Sequence, residues 1–430
     1  MNPNSNKKNL MIVFIAVLVV AIALGIAYYF FFMRGGEGEL VTPPTLPVGP
    51  SGELPIIPPG QGGALTPGGV NALIPRLRQI TSEPVGGAGI FDITNTDKTK
   101  STLIRYIQRA DGNIFETKTD TIAVNRISNK TIPKIYEAIW GNAGDAVITR
   151  QLKDDNETIE SFAAKLSPLE TRFLTGQAGN ASPANGGASS TERELSGVYL
   201  PQKISVLTIS PDKSKMFYLY PTNGGIGGIF AGADGSKKTL IFESALSEWL
   251  ASFADNKTIV LTTKPSAGAK GFAYFLNTNA GEIRKIVGGI AGLTILVSPD
   301  KKLALYSESS GGSFRTKIYN LIENSAGDFE LQTLPEKCVW SRNEPVVVFC
   351  AVPTTLPTGD YPDSWYQGRV VFSDDIWKIN TATGETSRLI SPETFINKTI
   401  DVINPLLNES ESFLLFMNKI DLTPWVLDIR

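Results

Sequence analysis

The strongest constraint on this chain is a tetrapeptide that returns at a fixed interval. Ser210-Pro211-Asp212-Lys213 recurs as Ser298-Pro299-Asp300-Lys301, 88 residues later. A period of half that length, 44, places another turn near residue 254. Phe253-Ala254-Asp255-Asn256-Lys257 supplies it and runs into Thr258-Ile259-Val260-Leu261, the counterpart of Leu303-Ala304-Leu305-Tyr306. A further step of 43 reaches Ser341-Arg342-Asn343-Glu344-Pro345, followed by Val346-Val347-Val348-Phe349. Each unit keeps one order: a short apolar stretch, a polar turn and a strand of β-formers. A third strand follows about 18 residues after the turn (Phe272–Leu276, Thr316–Asn320), then a Gly-bearing turn and a fourth strand. Four-stranded units with a period in the low forties predict propeller blades.

Counting outward predicts turns near residues 98, 142, 210, 254, 298, 341 and 408. Two intervals are too long, by 24 and 23 residues, and both excesses coincide with shifts in composition, at about 167–194 and 352–371. Setting them aside leaves about 44 residues for each of seven blades. The final unit shows only three strands, Asp401–Leu406, Ser412–Asn418 and Trp425–Arg430. Its missing strand is expected from Arg76-Leu77-Arg78-Gln79-Ile80-Thr81, which resembles the fourth strands Glu282–Val287 and Thr386–Ile390. The expectation is an all-β, seven-bladed β-propeller over 72–430, closed by its own N-terminal strand so that no sheet edge stays open. The Ser-Pro-Asp-Lys turns followed by an apolar strand resemble the WD40-like repeats of TolB-type propellers and of the propellers in prolyl-oligopeptidase-like enzymes. The chain as a whole resembles uncharacterised membrane-anchored bacterial propeller proteins. These motifs are turn chemistry, so the resemblance implies a fold and leaves activity open.

Ahead of the propeller, Leu10 to Met33 is an uncharged run of 24 residues. A helix of that length crosses a ~30 Å hydrocarbon core with some tilt. Lys7 and Lys8 precede it, whereas Glu37 and Glu39 follow close behind Arg34. The charge bias predicts a cytoplasmic N-terminus (1–9), a signal anchor (10–33) and an extracytoplasmic remainder in the cell membrane. A cleaved signal peptide is the alternative. The run is long for one, and it ends in Tyr-Tyr-Phe-Phe-Phe where cleavage needs small residues. Residues 34–71 read as a linker, since 41–70 hold eight prolines, seven glycines and a single charge, Glu53. That composition cannot bury a core and predicts an extended spacer.

Composition removes much chemistry. With no histidine, Ser-His-Asp and Cys-His mechanisms and histidine metal sites are out; with only two cysteines, so is a thiolate zinc site. Lys+Arg at 40 against Asp+Glu at 42 argues against nucleic acid as a partner. No cofactor motif is found, and no metal site or catalytic residue is assigned. Asp212 and Asp300 read as turn caps.

The first insertion joins strands three and four of the second blade. From Gly176 to Ser190 it has no large apolar residue, which reads as a mobile polar loop. The second joins strands two and three of the sixth blade, on the opposite face of the disc. Its run Thr358–Arg369 offers Asp360, Tyr361, Asp363, Trp365, Tyr366 and Arg369 as a binding surface, with Asp374 and Asp375 close behind. Aromatics with few rotors and a polar tip are what interaction sites use. The competing reading has Trp365 and Tyr366 fold back as a plug over the propeller. Cys338 and Cys350 flank a turn centred on residue 344, so a symmetric hairpin sets them opposite each other, and a structural disulfide is expected. The sequence thus points to a non-enzymatic binding or scaffold platform for an envelope protein, peptide or glycan. An extracytoplasmic carbohydrate-active enzyme using carboxylates, a hydrolase or lyase, is the alternative.

Overall fold

Second strands such as Lys215–Thr222 and Phe413–Asn418 are apolar on both faces, and that decides how the sheets pack. Along Lys215–Thr222, Met216 and Tyr218 join the apolar layer against the preceding sheet, while Phe217 and Leu219 join the layer against the next. Phe413–Asn418 behaves likewise, with Leu414 and Phe416 facing one neighbour and Leu415 and Met417 the other. A sheet buried on both faces needs a partner on each side, and a ring of sheets gives one to all of them. The computed structural model describes residues 74–95, 97–128, 131–168 and 192–430. It is a seven-bladed β-propeller of four-stranded antiparallel sheets. The blades span 85–126, 135–199, 206–244, 249–291, 294–328, 338–390 and 402–428, and the last is completed by Leu77–Gln79. Within the first six blades the strands are hydrogen-bonded in sequence order, and in the seventh the N-terminal strand takes the fourth place.

The expected membrane segment (10–33) and linker (34–71) lie outside the described residues, as does most of the first insertion. Among the described residues no helix is long and apolar enough to cross a membrane.

All the turns counted from the 44-residue period connect first to second strands, on one face of the disc. The two Ser-Pro-Asp-Lys turns are built alike. Ser210 Oγ donates to Asp212 (2.5 Å), the Lys213 amide to the Ser210 carbonyl (2.8 Å) and the Lys215 amide to Ser210 Oγ (3.0 Å). Ser298, Asp300, Lys301 and Leu303 repeat the pattern at 2.7, 2.9 and 3.0 Å. Both lysines sit in the left-handed region, φ 60° and 58°. Neighbouring turns are tied together around this face. The Asp212 amide donates to Asn256 (3.1 Å), Lys301 pairs with Asp255, and the Ser341 hydroxyl donates to Glu411 (2.6 Å). Asn408 donates to Asp92 (2.8 Å), joining the last blade to the first.

The closing strand pairs Leu77 with Leu427, Arg78 with Val426 and Gln79 with Trp425. Its arginines reach further. Arg76 donates to the Leu389 carbonyl of the sixth blade (3.0 Å), and Arg78 donates to the Lys118 carbonyl of the first (3.0 Å). Three residues therefore join three blades. The chain enters here, beside Ser412 and the C-terminal residues, on the face of the first-to-second-strand turns. We call this the entry face.

In the sixth blade Cys338 and Cys350 are directly opposed, with Cα atoms 4.1 Å apart, and joined as a disulfide. Alkylation in denaturant should add no mass to either cysteine until a reductant is present; labelling without reductant would show free thiols. Leu77→Ala should lower stability by about 2–4 kcal/mol, because a buried leucine is lost at the seam. Deleting 72–82 should destabilise the whole ring in one transition; unchanged thermal melting of the deletion would rule out closure by this strand.

Candidate functional site

The second insertion, 354–373, lies on the face opposite the entry face and folds over it as a cap. Its short helix Asp363–Tyr366 is anchored from both ends. Toward the fourth and fifth blades, Asp363 accepts the Ala267 amide (2.7 Å) and the Gly359 amide donates to the Gly312 carbonyl (2.8 Å). Gly292 permits this approach, since a Cβ there would lie 2.5 Å from the Tyr361 carbonyl oxygen. Underneath, Tyr361, Trp365, Val370 and Phe372 form an apolar cluster with Phe314 and Leu334.

At the junction of the sixth and seventh blades the cap covers a sealed ion cluster. Lys337 Nζ lies 2.7 Å from Asp374 and 2.5 Å from Asp401, and all three side chains are fully buried. Lys337 also donates to the Val402 carbonyl (2.9 Å). Its ammonium stands 4.9 Å from the Trp365 ring centroid and 5.2 Å from that of Phe372. The Trp365 indole N–H lies 3.0 Å from each Asp401 oxygen, and the Phe372 amide donates to the same carboxylate (3.1 Å). Asp374 accepts the Val402 amide (2.7 Å) through Oδ2, while its Oδ1 is buried without a partner. Burial pushes the Asp374 carboxyl up to about 6, against the pull of Lys337. A third carboxylate, Glu336, is also raised by burial, and it accepts the Tyr366 hydroxyl.

The structure thus divides the residues singled out in the sequence. Tyr361, Trp365, Asp374 and Asp375 are buried, and Asp375 pairs with Arg388 at 3.1 Å. Trp365 packs as a plug beneath the cap. Tyr366, Asp360 and Arg369 are exposed, and Asp363 is half-buried. The last three border a polar groove of about 460 Å³ between the cap and the loops of the fourth and fifth blades. Sequence reasoning missed Lys337 and Asp401, which hold the cap, and Ser309–Gly312, which floor the groove. The available signals were weak: a lysine just before an inner strand, and a Ser-Ser-Gly-Gly hairpin. Among the described residues no group of His, Cys, Asp or Glu is arranged to hold a metal.

No protein-family model matches the chain, and no curated protein matches it in sequence. Solved structures do align with it. One is an oligogalacturonate lyase in complex with manganese, at 8% identity and TM-score 0.48, covering 81% of this chain and 98% of that one. Another is an oligogalacturonate lyase from Vibrio parahaemolyticus, at 10% identity and TM-score 0.44, covering 80% and 99%. A third is TolB from Acinetobacter baumannii, at 12% identity and TM-score 0.39, covering 76% of this chain and 63% of TolB. The propeller fold itself rests on the seven four-stranded sheets. The likeness extends to no activity.

The raised Asp374 carboxyl sets a direction for pH dependence. Its folded value, about 6, exceeds the ordinary 3.8, so the folded state binds the proton more tightly than the unfolded chain. This contribution is fully present below the ordinary value and is lost as the pH rises through about 6. The stability of the native sequence minus that of Asp374→Asn should therefore grow by about 2 kcal/mol between pH 7.5 and 4.5. Denaturant titrations of both proteins at each pH measure it, and a flat difference would contradict it.

Proposed function

We propose that this protein is a membrane-anchored, extracytoplasmic propeller acting as a binding platform for an envelope protein, peptide or glycan. Its capped face is the working surface. One observation carries this reading: on that face the carboxylates displaced in pKa support the cap, while large apolar side chains stand out in solvent around it. Tyr366, Val371, Phe395 and Ile420 are 39, 47, 55 and 50% exposed. They lie on segments in mutual contact. Ser373 donates to Glu393 (2.7 Å), Lys398 pairs with Asp421 (3.0 Å), and Lys419 lies over the Trp365 ring at 5.3 Å. Exposed aromatic and aliphatic groups on a rigid base are what binding hot spots use. The anchor itself rests on the hydropathy of 10–33.

The carboxylate enzyme remains the second reading, favoured by the pairing of Asp374 with Asp401 around one lysine. A glycosidase or lyase needs two carboxylates that substrate can touch. These two are closed off by Trp365 and Phe372.

Cross-linking the native protein on intact cells, followed by identification of what co-purifies, tests the platform. A specific partner should be captured by the native chain and lost, by about tenfold or more, from Tyr366→Ala/Phe395→Ala. An unchanged set of captured proteins in that variant would remove the capped face as the binding surface.

A further inference from the structure

The groove beside the cap is distinct from the apolar rim and has a chemistry of its own. Its walls come from three blades: Ser266–Gly268 of the fourth, Ser309–Gly312 of the fifth, and the cap of the sixth. Its volume, about 460 Å³, falls within the ~300–1,000 Å³ range of small-ligand sites. The walls are held rigid by the Asp363–Ala267 and Gly359–Gly312 bonds across the blades. The groups they present are unspent. The side chains of Asp360, Gln367, Arg369, Ser309 and Ser310 make no hydrogen bond or ion pair within the described residues. Asp363 uses only one of its oxygens, on Ala267.

Elimination narrows the ligand. Two carboxylates at the edge oppose phosphate, sulfate and acidic sugars. A transition metal finds no His or Cys and only two carboxylates there, fewer than the three such groups a site would need. An apolar or aromatic peptide anchor finds no wall residue larger than Ala267 among the apolar ones. What remains is a ligand that donates and accepts hydrogen bonds all along its length. The groove offers carboxylate acceptors, guanidinium and amide donors, and hydroxyls that do both. Gly268 and Gly311 leave the backbone bare, since a Cβ built on either meets nothing within 4 Å. A polyhydroxylated ring can therefore approach the main chain closely.

We infer that this groove is a saccharide site, suited to neutral or amino sugars and not to uronic acids, with Asp360 and Arg369 as its principal contacts. It rests on the glycan form of the platform reading but is built from different residues than the rim. A sugar titration can fail while partner capture stands, and the reverse.

Calorimetric titration of the detergent-solubilised full chain tests it, with three probes: the glucosamine trisaccharide, cellotriose and trigalacturonate. The first two should bind saturably, the glucosamine trimer more tightly, and trigalacturonate at least about tenfold more weakly. Asp360→Ala/Arg369→Ala should weaken both bound probes by about tenfold without changing thermal melting. Asp360→Asn alone should erase the preference for the amino sugar and keep cellotriose binding. Absence of saturable binding, binding indifferent to the double variant, or tightest binding of trigalacturonate would each overturn the assignment.

Discussion

The ring depends on one short strand. Leu77–Gln79 is the fourth strand of the seventh blade, and through Arg76 and Arg78 it also bonds the sixth and first. Removing it would bare the outer edge of the last sheet and loosen the seam where Leu415 and Val426 pack against Ile90 and Ile104. Every other seam is of the same kind, an apolar layer between two sheets. In a closed ring each layer is held from both sides; in an open one the end blades lack a partner. The hydrogen bonds between turns on the entry face follow the same circumferential logic. They satisfy polar groups at the ends of first strands by using the neighbouring blade.

The opposite face is organised by a different balance. Two carboxyl groups and one lysine side chain are fully buried there. Burial of this kind costs several kcal/mol per ion, so its partners have to be supplied in good geometry. The cap supplies part of them, with the Trp365 indole, the Phe372 amide and two ring faces beside Lys337. Trp365 is thus consumed by the fold. The groups on the cap that remain for recognition are the exposed ring of Tyr366 at the rim, and Asp360, Gln367 and Arg369 over the groove.

The same division marks what could be read without a structure. The blades were legible because their information is local. Ser-Pro-Asp-Lys caps its own turn through bonds within five residues, and alternation along a strand declares both of its buried faces. Closure was legible as well, since a three-stranded last unit and an unplaced strand before the first are complementary within the sequence. The second insertion was legible in place and composition, but the fate of its aromatics was not. Trp365 meets Asp401 across 36 residues, and Lys337 meets Asp401 across 64. No periodicity reports contacts of that range. Sequence alone determined the ring of blades, the turn chemistry and the exclusion of histidine-dependent catalysis. Tertiary structure decided which side chains of the cap are buried and which are free, because that depends on charged groups that separate blades bring together.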